Sequence, residues 1–325
     1  MEFFKKCVSL IWPLHGWRRW LAVTVFTGIV FFGTFVLPPY NFPAQNSIEI
    51  SEGLTLSDTA QFLKEKHIVK SETIFKALVF ILDGEYGVRS GEYFFAKPIS
   101  AITLALRIIH GDFGFEAVKL TFPEGSTIEE MSLIAKRRLP KFNSEEFAIL
   151  TEGKEGFLFP DTYMFYTNTK TVSVVKALDE NFKVKTVVLK RSAEKLGKDF
   201  RDIVIMASII EEEARKEEDR RMISGILWKR ISIGMALQVD APFIYSVGRN
   251  TYELTKADLR APSPYNTYQN RGLPVGPISN PGLDSLDAAL YPKESPYLFY
   301  LSDKNGTVYY GKDFEEHKKN IQLYL

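Results

Sequence analysis

Three consecutive carboxylates interrupt an apolar helical pattern, and they are the residues in this sequence best suited to chemistry. Within residues 202–230, apolar side chains recur at helical spacing, namely Ile203, Met206, Ala207, Ile210 and Ala214. Glu211, Glu212 and Glu213 interrupt the second half of this stripe. On a helical wheel Glu212 lies opposite the stripe, whereas Glu211 and Glu213 flank it on either side.

A carboxylate at the edge of a buried stripe loses part of its hydration, and desolvation raises the pKa of a carboxyl group. A raised pKa is what a general acid needs near neutral pH. Helical phase alone does not separate Glu211 from Glu213 as that acid. The simpler interpretation is a solvated acidic helix face followed by basic residues, and periodicity taken alone favours it.

The composition limits which classes of protein are possible. The chain has 325 residues, of which 45% are hydrophobic and 25% charged, with a formal net charge of +1. This length suits one large or two ordinary domains, and the charge gives no preference for nucleic acid. The single cysteine, Cys7, excludes a disulfide framework. The histidines are scattered without the spacing of metal ligands.

The N-terminal segment predicts a membrane anchor. Residues 20–37 contain no charged side chain, and as a helix they would extend roughly 27 Å, near the thickness of a bilayer core. Basic residues precede this segment, and Pro38 and Pro39 follow it. The sequence therefore predicts a single-pass protein of the inner membrane. Residues 1–19 would be cytoplasmic, residues 20–38 would form the transmembrane helix, and the remainder would be extracytoplasmic. An uncleaved anchor is preferred to a signal peptide, because residues 44–46 form a poor cleavage site.

Two segments have similar sequences, at residues 50–56 and again at residues 122–128. Each copy predicts a strand and a turn, then a helix, a break and a second helix. In the first copy, Ser57 or Asp58 should cap the first helix. The strand–helix–helix–strand order resembles the sugar-binding LysM module, so residues 45–120 are predicted to form a LysM-like subdomain. It could bind glycan or serve only for packing.

Residues 121–325 are predicted to form a larger catalytic domain, which makes the fold class α+β. In EGFLFPDTY (residues 155–163), Asp161 lies among aromatic residues. This suits a sugar cleft, but Asp161 could equally cap a turn in a buried corner. Beyond residue 234 the chain is rich in Gly and Pro, as functional loops commonly are. Polar side chains there are candidates for ligand contacts: Gln238, Asp240, Tyr265, Asn266 and Tyr268.

Five segments occur in the order found in the endolytic murein transglycosylases, and the chain resembles that family over residues 45–325. They are EGFLFPDTY, ASIIEEEA, GMALQVD, SPYNTY and GLPVGPISNPG. The resemblance implies cleavage of the β-1,4 bond between N-acetylmuramic acid and N-acetylglucosamine within peptidoglycan strands, leaving a 1,6-anhydromuramoyl end. It implies that the first acid of ASIIEEEA, Glu211, is catalytic. It also suggests association with wall synthases.

The expected reaction needs one carboxyl group and no metal or organic cofactor. The acid protonates the glycosidic oxygen, and the sugar's own 6-hydroxyl then replaces water as nucleophile. Two other functions stay open. One is a peptidoglycan hydrolase that adds water, with Asp240 or Asp161 as the second carboxylate. The other is a non-catalytic glycan-binding scaffold of the wall, in which Glu211 would be replaceable.

Overall fold

The computed structural model describes residues 16–83, 88–247, 260 and 262–325. The described chain is mixed α+β and divides into two compact units, Met1–Glu116 and Ala117–Leu325. Each unit has its own hydrophobic cores.

The first helix, α1 (Trp17–Phe31), has 15 residues and passes into a π-helical turn over Phe32–Val36. An α-helix of this length rises only about 22 Å, less than the thickness of a bilayer core. In the described part of the chain no helix has both the length and the apolar character needed to span a membrane. The predicted transmembrane helix over residues 20–38 and the single-pass location were therefore wrong. Hydropathy does not register the change from α to π geometry at Phe32. Residues 1–15 lie outside the described residues.

The first unit contains the strand–helix–helix–strand order that the sequence predicts. Strand β1 (Asn46–Ile50) is followed by helices α2 (Leu56–Glu65) and α3 (Glu72–Asp83), and then by strand β2 (Gly91–Phe95). The two strands pair antiparallel, with Ile48 opposite Tyr93. Helix α4 (Ala101–His110) follows, with Ser100 as its N-cap and Gly111, in a left-handed conformation, as its C-cap. Glycan binding by this unit stays a prediction.

The second unit begins with a module of the same order. Strand β3 (Ala117–Thr121) precedes helices α5 (Ile128–Arg138) and α6 (Ser144–Leu150), and strand β4 (Thr162–Tyr166) pairs antiparallel with β3. The two similar segments therefore correspond to a duplicated structural module. In each copy a glycine has a left-handed backbone, with φ of 82° at Gly53 and 80° at Gly125. An L side chain rarely adopts this conformation, which explains the glycine in both turns.

The same residue type caps the first helix of both modules. Thr55 accepts a hydrogen bond from the Asp58 backbone, and the Asp58 side chain accepts one from the Thr55 backbone. Thr127 and Glu130 form the equivalent capping box at α5. The N-cap predicted at Ser57 or Asp58 was therefore misplaced: Asp58 is the third helical residue, where an acidic side chain completes the box.

The rest of the second unit is a helical body built around α8 (Phe200–Glu213). Long helix α7 (Thr171–Lys195) precedes it, and α9 (Glu217–Ser232), α10 (Ala241–Val247) and α11 (Leu283–Leu290) follow it. All eight residues from Ile203 to Ile210 are buried, so α8 is covered on every side rather than along one stripe. This arrangement fixes the position of its C-terminal turn, which carries the three glutamates.

A short hairpin and a helix complete the second unit. Strands β5 (Phe299–Ser302) and β6 (Val308–Gly311) pair antiparallel, and α12 (Phe314–Tyr324) follows them. The turn between the strands contains Gly306 with φ of 78°, as expected for the Asn-Gly sequence. The hairpin places Tyr300 against the end of α8.

Candidate active site

The last turn of α8 directs its three glutamates to different surroundings. Helix α8 ends at Glu213 because Ala214 is extended, with φ of −142° and ψ of 135°. Successive side chains on a helix diverge by about 100°, so the three carboxyl groups leave the helix in different directions. Glu213 lies in the wall of a cavity, Glu212 is exposed at its rim, and Glu211 is directed into the protein.

The cavity has a volume of about 970 Å³ and is lined largely by polar side chains. Predicted site residues that line it are Gln238, Asp240 and Tyr268. The duplicated module contributes Thr127 and Glu130. Further lining residues come from α9, the hairpin and α12, namely Arg230, Tyr300 and His317. Residues distant in sequence therefore converge around Glu213.

Glu213 has the properties of a general acid near neutral pH. Burial raises the pKa of its carboxyl group from 4.5 to about 7, and the negative charges of Asp240 and Glu212 act in the same direction. The Tyr300 hydroxyl donates a hydrogen bond to Oε2 of Glu213 at 3.0 Å and lowers this pKa, as does the charge of Arg230. A carboxyl group with a pKa of about 7 is substantially protonated at neutral pH.

Glu211 faces away from the cavity and has donors on both carboxylate oxygens. Its side chain is 6% exposed. Arg220 donates to Oε1 at 3.0 Å, and the backbone N–H of Gly282 donates to Oε2 at 2.8 Å. Arg220 also donates to the Ala214 carbonyl at 3.1 Å. Glu211 therefore joins the end of α8 to α9 and to the loop before α11.

Of the five predicted ligand contacts beyond residue 234, three side chains line the cavity. Gln238 has a left-handed backbone, with φ of 50°, and its N–H bonds to the Thr267 carbonyl at 3.1 Å. Such a conformation is uncommon for a non-glycine residue and is often found at functional sites. The Tyr268 hydroxyl donates a hydrogen bond to Asp240. Gln238, Asp240 and Tyr268 thus form one side of the cavity.

The other two predicted contacts support that side from behind. Asn266 is fully buried, and its Oδ1 accepts a hydrogen bond from the Tyr268 backbone at 3.0 Å. The ring of Tyr265 packs edge-on against Tyr245, with centroids 5.3 Å apart. Tyr245 does line the cavity. Asn266 and Tyr265 therefore hold the loop and the residues that line the cavity.

Asp161 lies apart from this cavity, among residues at the start of β4. It accepts hydrogen bonds from the Thr162 backbone at 2.7 Å and from Asn181 at 3.1 Å, and Lys185 lies 3.5 Å away. These contacts, the Thr162 N–H foremost, lower the pKa of Asp161. The Asp161 side chain is 37% exposed and is followed directly by strand β4, so it lies neither in the cavity nor in a buried turn.

A model of the YceG-like family matches residues 48–323. The chain belongs to the YceG-like family. It is 29% identical over 327 residues to a Bacillus subtilis (strain 168) protein named endolytic murein transglycosylase, with 92% of this chain and 90% of that protein covered. A Streptococcus pneumoniae (strain R6) protein of the same name is 26% identical, and the match covers 85% of this chain and 57% of that protein.

A solved structure shares the fold. The crystal structure of a YceG-like protein from Listeria monocytogenes matches with a TM-score of 0.58 and 29% identity. The match covers 84% of this chain and 98% of that chain.

Two residues of this YceG-like chain that contact the cavity or its wall were not predicted from the sequence. Tyr300 lies in the C-terminal hairpin, outside the five segments that carry the family resemblance. Glu155 is the first residue of EGFLFPDTY, and burial raises its pKa to about 7. It accepts hydrogen bonds from Asn280 Nδ2 at 2.7 Å and from Tyr245 Oη at 3.2 Å. Glu155 is therefore connected through Tyr245 to the cavity wall.

Proposed function

We propose that this chain is an endolytic murein transglycosylase and that its general acid is Glu213. The names of the relatives support the reaction class. The observation that carries the choice of acid is the position of Glu213 in the cavity wall, together with a pKa of about 7. Association with wall synthases stays a prediction of the family resemblance.

The proposed reaction proceeds in two steps on one carboxyl group. Protonated Glu213 donates its proton to the oxygen that links C1 of the muramoyl sugar to O4 of the next sugar, and the C1–O4 bond breaks. The Glu213 carboxylate then takes the proton of the muramoyl 6-hydroxyl while O6 bonds to C1. The intramolecular nucleophile has a high effective concentration, so no water enters the bond. Glu213 ends protonated, as it began.

Glu211, the acid that the family resemblance implied, fits this role less well. Its two oxygens already accept hydrogen bonds from Arg220 and Gly282, and its side chain does not line the cavity. To donate a proton to substrate it would have to break both contacts and change direction. In our proposal Glu211 holds the end of α8 in place, and Glu213 performs the chemistry.

Glutamine variants at the three positions test this assignment. Glu213→Gln keeps the shape but cannot transfer a proton, so cleavage of purified glycan strands should fall at least about 10²-fold. Glu212→Gln, at the cavity rim, should reduce cleavage less than Glu213→Gln does, and Glu152→Gln, at an exposed glutamate outside the cavity, is the control that should retain full activity. Glu211→Gln should lower the unfolding temperature, and the protein that stays folded should keep most of its activity. Loss of activity in Glu211→Gln at an unchanged unfolding temperature, with an active Glu213→Gln, would identify Glu211 as the acid.

A water-adding hydrolase is the second candidate, because Asp240 lies in the same cavity and its charge raises the pKa of Glu213. Two carboxyl groups are the usual equipment of glycoside hydrolases. Asp161, the other predicted partner, does not line this cavity. Of the two partners predicted for the acid, Asp240 is therefore the one that lies in the site.

Cleavage in ¹⁸O-labelled water separates the two reactions. A transglycosylase should yield unlabelled muramoyl ends that are lighter by one water than the ends produced by hydrolysis. Mass spectrometry of the released fragments measures both properties. Label at the muramoyl C1 would contradict the transglycosylase and make Asp240 the second catalytic carboxylate. Absence of any cleavage by the wild-type protein would favour a glycan-binding scaffold.

A further inference from the structure

A second groove continues from the active-site cavity onto the surface of α5. It has a volume of about 420 Å³ and shares Gly125, Glu130 and Glu212 with the cavity. From there it follows α5 past Leu133 and Ile134 to Arg137. Glu130 and Arg137 are two helical turns apart, so the groove extends about 10 Å beyond the cavity along the helix.

The far part of this groove combines apolar surface with a positive charge. Leu133 is 48% exposed, so it offers apolar surface to the groove. Arg137 is exposed at the last turn of α5 and forms no ion pair within the described residues. A guanidinium group pairs geometrically with a carboxylate. A ligand at this far part should therefore carry small apolar groups and a carboxylate, whereas the part next to the cavity is acidic, with Glu124, Glu130 and Glu212.

We propose that the groove binds the peptide-bearing continuation of the glycan strand being cleaved, with Arg137 paired to a carboxylate of the attached peptide. This inference rests on the proposed function. The groove is continuous with the cavity, and an enzyme that cuts within a strand must accommodate the strand on both sides of the bond. The sugar backbone itself is uncharged where a peptide is attached, so the peptide supplies the anion. Alanine methyl groups of the peptide would pack on Leu133 and Ile134.

The test compares Arg137→Ala with Arg138→Ala on two forms of one substrate. Arg138 is the neighbouring exposed arginine on α5 and does not line the groove. The substrates are purified uncrosslinked murein strands with intact peptides, either native or with their carboxylates amidated by carbodiimide and ammonia. The steady-state constants KM and kcat are measured for each pair.

On native strands Arg137→Ala should raise KM about two- to fivefold without changing kcat, as expected for an exposed ion pair. Amidation should raise the KM of the wild-type protein and of Arg138→Ala by a similar factor. The KM of Arg137→Ala should not change on amidation, because the arginine that pairs with the peptide carboxylate is already absent from this variant.

Two results would overturn the inference: Arg137→Ala and Arg138→Ala behave alike on native strands, or amidation affects Arg137→Ala as much as the wild-type protein. A failure of the proposed function is distinguishable, because the wild-type protein would then cleave neither substrate form. If the wild-type protein cleaves the strands and Arg137→Ala has the same KM as the wild type, the proposed function stands and only the inference about the groove is contradicted.

Discussion

At the scale of single residues, three identical side chains in one helical turn have three different surroundings. Glu213 gains a raised pKa because the surrounding protein removes water from it. Glu211 gains two donors that hold it as a structural link. Glu212 is exposed at the rim. Residue type alone therefore does not tell which of the three glutamates is suited to act as an acid. That depends on the direction in which each carboxyl group leaves α8.

The pH dependence of cleavage should report Glu213 and its contact with Tyr300. The acid must be protonated, so kcat/KM should fall as the pH rises through about 7. The Tyr300 hydrogen bond lowers this pKa, so Tyr300→Phe should raise it and move the alkaline limb to higher pH. Tyr310→Phe is the matched control, because the Tyr310 hydroxyl bonds to Asp219 instead. An alkaline limb that stays in place in Tyr300→Phe would contradict the role of this contact.

At the scale of elements, the duplicated module explains how short strands and helices are positioned. Each copy has a glycine turn and a threonine capping box before its first helix. The second copy places Gly125 and Thr127 at the cavity. The same turn and capping box therefore start a helix in both units, and in the second unit they also form part of the cavity wall.

The capping boxes should contribute measurably to stability. Thr55→Ala removes the hydrogen bond to the Asp58 backbone and should lower the free energy of unfolding by about 1 kcal/mol. Ser57→Ala, two residues later, removes an exposed hydroxyl that is not the cap and should have little effect. Hydrogen exchange of the first turn of α2 locates the change. Equal exchange in both variants would show that Thr55 does not stabilise this helix.

At the scale of the second unit, one buried amide connects three separate segments. Asn280 Nδ2 donates to the Ser126 carbonyl at 2.9 Å and to Glu155 Oε1 at 2.7 Å, and its Oδ1 accepts from the Leu158 backbone at 3.0 Å. The duplicated module, the EGFLFPDTY segment and the loop before α11 meet at this residue. The module, which contributes Gly125, Thr127 and Glu130 to the cavity lining, is thereby connected to the helical body.

Glu155 should make the stability of this unit depend on pH. Its folded pKa of about 7 lies above the ordinary value of 4.5, so the folded state binds its proton more tightly than the unfolded state. The stability of the wild-type protein relative to Glu155→Gln should therefore fall as the pH rises from 4.5 to about 7, and then level off. Urea unfolding at several pH values measures this difference. Glu152→Gln, at an exposed glutamate, is the control. A difference between wild type and Glu155→Gln that is independent of pH would contradict the assignment.

The sequence by itself determined the features that depend on neighbouring residues. The repeated strand–helix–helix–strand modules, the Asn-Gly hairpin and the caps at Ser100 and Gly111 follow from local propensities, which short-range hydrogen bonds satisfy. The Gly- and Pro-rich segments after residue 234 were likewise recognisable as loops that could contribute ligand contacts. Of these, Gln238, Asp240 and Tyr268 reach the cavity.

Only the tertiary structure decided which glutamate faces the cavity and whether the apolar N-terminal segment is one long α-helix. Glu211 and Glu213 are equivalent on a helical wheel, because both flank the apolar stripe. Gly282 and Tyr300, which distinguish them, are about 70 and 87 residues further along the chain. Asp161 and Asp240 both looked like partners of the acid, and packing brought only Asp240 into the cavity. Such choices depend on contacts between distant segments, which spacing along the chain does not encode.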